Sequence, residues 1–210
     1  MRSRRCGDPI CGDSEANCYS NRMILEGIVT TLAPDGSLNI APMGPIVDAD
    51  MRRLVLRPFK SAQTYRNLKD HGEGVFHVTD DVLLLAQAAV GEVQPLPEVE
   101  RATYILGYML SDAARFYEFR VTRVDDSQDR TSIEAEVVHS GNRRDLFGFN
   151  RAKHAVLEAA ILATRTALIP LEEIESEFRK LRTIVEKTGG PQEHAAFRHL
   201  EEHVRRQKPN

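Results

Sequence analysis

The stretch E26-GIVTTLAPDGSLNIAPM-G44 decides how the chain is read. Met23 to Thr31 is β-branched and apolar, the four residues from Ala33 to Gly36 read as a turn with Asp35-Gly36 at its apex, and Ser37 to Ala41 returns. The pattern predicts a hairpin. The returning strand then runs into Asn39-Ile40-Ala41-Pro42-Met43-Gly44, a turn with almost no side-chain chemistry, where an ordinary hairpin needs only two or three polar residues. Two readings of so bland a turn stand: a wide hairpin bend with Pro42 at an exposed edge, or a backbone that is itself the functional group.

Outward from that hairpin, short strands alternate with short helices. Arg52 to Arg57 reads as a third strand, and Ser61 to Gly72 as a helix with a serine start and a glycine stop. Gly74 to Thr79 is a fourth strand; Asp80-Asp81 reads first of all as a cap on an apolar helix that ends at Gly91. Two further strands, YEFRVTRV and SIEAEVVHS, flank the hairpin loop DDSQDR, while Glu92 to Ala114 fits no single pattern. After Gly148 the periodicity is helical only: Asn150 caps one helix, Pro170 opens a second that stops before Gly189-Gly190, and a third closes the chain. These elements predict a fold mainly of β with α: about six antiparallel strands with two intervening helices, then a three-helix C-terminal unit, divided near Leu146 into residues 23–146 and 147–210.

Composition narrows the function classes. With 210 residues, 41% of them hydrophobic, the chain can bury one substantial core. A net charge of −3 gives no electrostatic reason to expect nucleic acid as a partner. No apolar run approaches the roughly 20 residues of a membrane helix, and the basic start MRSRR is followed by polar residues where a signal peptide would be apolar, so a cytoplasmic protein is expected. Cys6, Cys11 and Cys18 follow a C-x4-C-x6-C spacing that matches no zinc pattern, so residues 1–22 read as a disordered leader, with Met23 a candidate start. His199 and His203 have i, i+4 spacing but no accompanying metalloprotease motif, so no metal site is expected; a solvated helix face is the expectation for them and His194. His71 and His77 read as local surface or packing residues, and His139 to Arg144 as a loop near the site.

EGIVTTLAPDGSLNIAPMG, followed in order by LRPFKSAQTYRNL, GVFHVTDD and FNRAKHAVLEAAILATR, closely resembles the domain of unknown function 447 family. Its members adopt the FMN-binding split-barrel fold of flavin reductases and pyridoxamine-phosphate-oxidase-like proteins. The resemblance implies a six-stranded antiparallel split β-barrel, a homodimer, and FMN near the dimer interface. Physical reasoning fits residues to that cofactor. Asn39, Ala41, Pro42, Met43 and Gly44 would face the isoalloxazine ring: small residues allow close approach, proline stiffens the turn, and methionine offers a polarizable side chain. Arg57, Ser61 and Thr64 place a guanidinium, hydroxyls and free helix N–H groups around a phosphate, with Tyr65 and Asn67 as further hydrogen-bonding groups. Asn150 and Lys153, at a helix N-terminus, are second-rank contacts. There is no Gly-x-Gly-x-x-Gly fingerprint and no Walker loop. Three functional readings stand: an oxidoreductase passing hydride or electrons from a reduced nicotinamide or flavin to an unknown small-molecule redox partner, a non-catalytic FMN carrier or sensor, and a role linked to pterin-dependent one-carbon metabolism.

Overall fold

The computed structural model describes residues 23–207; the cysteines and the leader expected at the N-terminus lie outside the described residues. Eight strands form one antiparallel sheet: β1 (Met23–Ile24), β2 (Gly27–Leu32), β3 (Leu38–Met43), β4 (Ile46–Val47), β5 (Arg53–Leu56), β6 (Glu73–Val78), β9 (Arg115–Asp125) and β10 (Ser132–Asn142). The expected count of six is therefore corrected to eight. The single first strand divides at Leu25-Glu26, and Ile46-Val47 adds a two-residue strand that the sequence pattern is too short to reveal.

The sheet order, β1-β4-β5-β10-β9-β6-β2-β3, explains why it curls. β1 and β2 lie near opposite ends of that order yet only Leu25 and Glu26 separate them, and β3 and β4 are likewise joined by Gly44 and Pro45 alone. Links of two residues force the two ends together. A hydrogen bond from the Leu25 N–H to the Pro45 carbonyl, 3.2 Å, ties one link to the other. Between β2 and β6 the backbones approach so closely that a Cβ on Gly27 would stand 2.2 Å from the His77 carbonyl oxygen, so only glycine fits there.

Inside the curl lie Val29, Leu54, Leu56, Phe76, Phe119 and Ile133, all fully buried. The helix α1 (Gln63–His71) closes this core with Tyr65 and Leu68 and stops at Gly72, whose φ of 67° is the left-handed conformation glycine accepts. A second core lies outside the sheet. Ile28 and Leu110 share it with α2 (Val82–Ala89) and the C-terminal helices α3 (Arg151–Ala163), α4 (Leu171–Thr188) and α5 (Pro191–Arg206). Alanines at 152, 155, 159, 160 and 163 bring α3 close to its neighbours.

The ambiguous stretch forms a two-stranded ribbon, β7 (Val99–Arg101) and β8 (Tyr108–Leu110), over a small core of Val75, Ile105, Met109 and Phe116. Two buried polar residues pin it. The Glu118 carboxylate accepts the backbone N–H groups of Thr103 and Tyr104 at 3.0 and 2.7 Å, and His139 Nδ1 lies 2.8 Å from the same group. His77, fully buried, takes the Leu110 N–H at Nε2, 3.0 Å, which leaves its proton on Nδ1 facing the Ile28 carbonyl at 3.2 Å. His139 to Asn142, expected as a loop, belongs to β10 and pairs with Glu118 to Arg115 across the hairpin.

Candidate functional site

β3 is the outer strand of the sheet and pairs only with β2, so the backbone groups on its other side are outside the ladder. Along its whole length it is half-buried. Asn39, Ala41 and Met43 pair with Thr31, Val29 and Gly27, which puts them on the inward face; Ile40 packs toward the helices on the other.

From Asn39 a polar cluster extends to α1. Asn39 Nδ2 donates to Thr64 Oγ1 at 3.0 Å and lies 3.2 Å from Thr31 Oγ1. Asn67, fully buried, donates to the same Thr31 oxygen at 2.9 Å and accepts from Gln63 Nε2 at 2.7 Å. The structure thus brings together Asn39, Thr64 and Asn67 from the sequence-based set and adds Thr31 and Gln63. Thr64 is 2% exposed, its oxygen already accepts from Asn39, and its own O–H proton meets no acceptor among the described residues.

Thr64 sits in the first turn of a helix without a side-chain cap. The serine start expected at Ser61 is corrected: Ala62 is the N-cap position, no side chain bonds back, and Ser61 stays exposed in the turn before it. The N–H groups of Gln63, Thr64 and Tyr65 consequently have no partner among the described residues. Arg57, on the strand side of that turn, has its Nε buried with no hydrogen-bond partner. An uncapped helix start, an unspent hydroxyl proton and an orphaned guanidinium N–H are all donors. Together they suit an anion.

Other expected residues are engaged elsewhere. Tyr65 turns its hydroxyl to Asp126, 2.7 Å, and Lys69 binds both groups. Asn150 caps α3 through the N–H groups of Ala152 and Lys153, and donates to the Thr188 carbonyl at 3.2 Å. Lys153 Nζ reaches the Asp80 carbonyl at 2.6 Å and Glu193 at 2.9 Å. These two residues line a cavity of about 540 Å³ with Arg144 and Phe147, and among the described residues no hydrogen bond joins them to Asn39, Arg57 or Thr64. Around Gly44, the space a Cβ would fill holds the side chains of Glu26 and Ile24.

The chain belongs to the DUF447 family. Residues 25–144 match the model described as "Protein of unknown function (DUF447) N-terminal domain", and residues 150–202 the one described as "Protein of unknown function (DUF447)". Among solved structures, an FMN-bound protein of the same family from Methanosarcina mazei superposes with a TM-score of 0.74 at 24% identity, covering 90% of this chain and 98% of that one. A 2-nitrobenzoate 2-nitroreductase of Pseudomonas fluorescens (TM-score 0.48, 16% identity, 66% and 77% covered) and component B of nitrilotriacetate monooxygenase from Bacillus cereus (0.46, 18%, 67% and 82%) match less closely. The first match supports the split-barrel-like character of the curled sheet.

Proposed function

We propose that the protein binds FMN, its phosphate held by Arg57, Ser61, Thr64 and the N-terminal turn of α1, and its ring laid along β3 as far as the Gly44–Pro45 link; Ala41, Pro42 and Met43, expected as a turn, are strand residues paired with β2. The observation that carries this reading is the buried Arg57 Nε without a partner, a few residues before a helix start that no side chain caps. A buried donor left unpaired costs about 1–3 kcal/mol, so an arginine in that state calls for an anion. The unpaired outer edge of β3 supports the ring assignment, because an isoalloxazine edge alternates donors and acceptors as an extended backbone does. The FMN in the related Methanosarcina mazei protein supports the same choice of ligand.

Bound FMN would supply two-electron redox chemistry, with a reduced nicotinamide or flavin as donor and a small molecule as acceptor. Asn39 would fix the Thr64 hydroxyl as a donor, and β3 would hold the ring edge. A homodimer completes the proposal. Phe147 and Phe149 are 86% and 100% exposed in the single chain, and Met23 and Ile24 on β1 are exposed as well, apolar side chains that a second copy would cover. The test is the visible spectrum of the purified protein, followed by anaerobic reduction with NAD(P)H. Flavin absorption with reduction faster than that of free FMN supports the oxidoreductase. Absorption with no such acceleration leaves a carrier or sensor, and a colourless protein that takes up no added FMN overturns the flavin reading.

A further inference from the structure

Across the inner face of the sheet one row of paired residues runs from Ala41 through Val29, Phe76 and Tyr117 to Ser140, and Met43, Arg115 and Asn142 lie two positions further along their strands. The end of β3 where the proposed ring contacts finish is therefore the end of the sheet where β9 begins and β10 stops, while α1 follows β5 at the other end. A cavity of about 280 Å³ lies there, between those strand ends and the turn from β4 to β5. The turn is a fixed wall: the Asp48 carboxylate accepts the Arg52 N–H at 2.8 Å, and the Asp48 carbonyl the Met51 N–H at 3.2 Å. Arg115, Ser140 and Asn142 line the cavity with side chains that are exposed and therefore solvated. Tyr117 differs from them. It is 7% exposed, its ring belongs to the inner core with Phe76 at 6.2 Å between centroids, and its hydroxyl meets no hydrogen-bond partner among the described residues. The polar end of a core residue is thus turned to the cavity.

We infer that this cavity binds the carboxylate of the flavin's small-molecule redox partner, with Arg115 as its counter-ion and the Tyr117 hydroxyl as a second donor. The partner's role rests on the FMN reading; the charge of the ligand rests on the cavity alone. A guanidinium presents parallel N–H groups that match the two oxygens of a carboxylate. Arg115 is the only cation among the described residues that line the cavity, and Asp50, the only acid among them, is exposed on the turn and forms no ion pair with it. Met51 and the Tyr117 ring give the ligand's carbon skeleton an apolar contact, the usual make-up of a small-molecule site. If the cavity were only wetted surface, an acid and its uncharged amide would bind alike.

The experiment is a calorimetric titration of the purified protein with benzoate and succinate, and with benzamide and succinamide as their uncharged counterparts. The wild type should bind at least one acid about tenfold or more tightly than its amide, and Arg115→Ala should reduce that preference to within about twofold. Tyr117→Phe, which keeps the ring, should weaken the acid by about two- to tenfold, and the FMN dissociation constant of both variants should stay within about twofold of the wild type. The bound acid should also shift the visible spectrum of the FMN-loaded protein. No acid preferred over its amide at concentrations up to about 10 mM, or a preference that survives Arg115→Ala, overturns the inference. An acid that binds through Arg115 but leaves the flavin spectrum unchanged overturns the assignment to the flavin's partner. A protein that takes up no FMN removes the FMN reading itself, and the titrations without flavin still decide whether the cavity selects a carboxylate.

Discussion

The Asn39 amide donates to the Thr64 hydroxyl across 3.0 Å, joining the outer strand of the sheet to the first turn of α1. The two residues are 25 positions apart, and each belongs to a different half of the proposed flavin site. One hydrogen bond thus ties the strand proposed for the ring to the helix turn proposed for the phosphate.

Breaking that bond should disturb binding more than folding. Thr64→Val removes the hydroxyl but keeps the shape, leaving one Asn39 N–H to the Thr31 oxygen alone. A loss of about 1–2 kcal/mol in stability is expected, with a weaker affinity for FMN and a smaller change for riboflavin. Thermal melts with and without each flavin check this.

Arg57→Ala should weaken FMN binding by about 10- to 150-fold, the equivalent of a charge-assisted hydrogen bond of roughly 1.5–3 kcal/mol. Riboflavin, which carries no phosphate, should lose far less. Equal losses for the two ligands in parallel titrations would assign Arg57 to the fold instead of the phosphate.

Asp81 caps α2 through the N–H groups of Leu83 and Leu84, at 3.1 and 3.0 Å, and also receives Gln192 from α5. Asp81→Ala should cost about 1–2 kcal/mol and lower the melting temperature by several degrees without altering FMN affinity.

Two titrations should appear in separate pH windows. Burial, the largest influence, brings His77 down to about 4 from an ordinary value of 6.5. The unfolded chain therefore takes up a proton before the folded one does, and stability, complete above pH 6.5, should fall as the pH drops toward 4, by about 3 kcal/mol from this group. For Glu118, burial pushes upward, but the Thr103 N–H, His139 and the Tyr104 N–H outweigh it and hold the carboxyl below the usual glutamate range. Its contribution is complete above that range and is lost as pH falls through the lowered value. Urea midpoints measured from pH 7 to 3 should thus decline in two stages, and His77→Gln should flatten the first while leaving the second.

The features legible in the sequence were those whose cause is local. Asp81 and Asn150 as caps, Gly72 as a stop, and the break at Gly189-Gly190 all follow from chemistry within three or four residues, and the structure contains each. Ser61 is not the helix start its residue type suggests, because the turn closes through the backbone, Ala62 N–H to the Phe59 carbonyl at 2.9 Å, and needs no hydroxyl. The β7–β8 ribbon left no pattern because its strands have three residues each and its anchor, Glu118, acts from 14 and 15 positions away. At the site, Arg57, Thr64 and Asn39 stood out by residue type.

The two family matches meet between residues 144 and 150, yet α2 crosses that division: encoded within the first, it buries Val82, Leu84, Leu85 and Ala86 in the same core as α3, α4 and α5. A gene cut there would separate two polypeptides that need each other as solvent. The first alone would carry a bare greasy helix and precipitate, and the two produced together should find one another and recover a soluble pair. Neither half could be moved to another protein without a replacement for the surface it leaves behind.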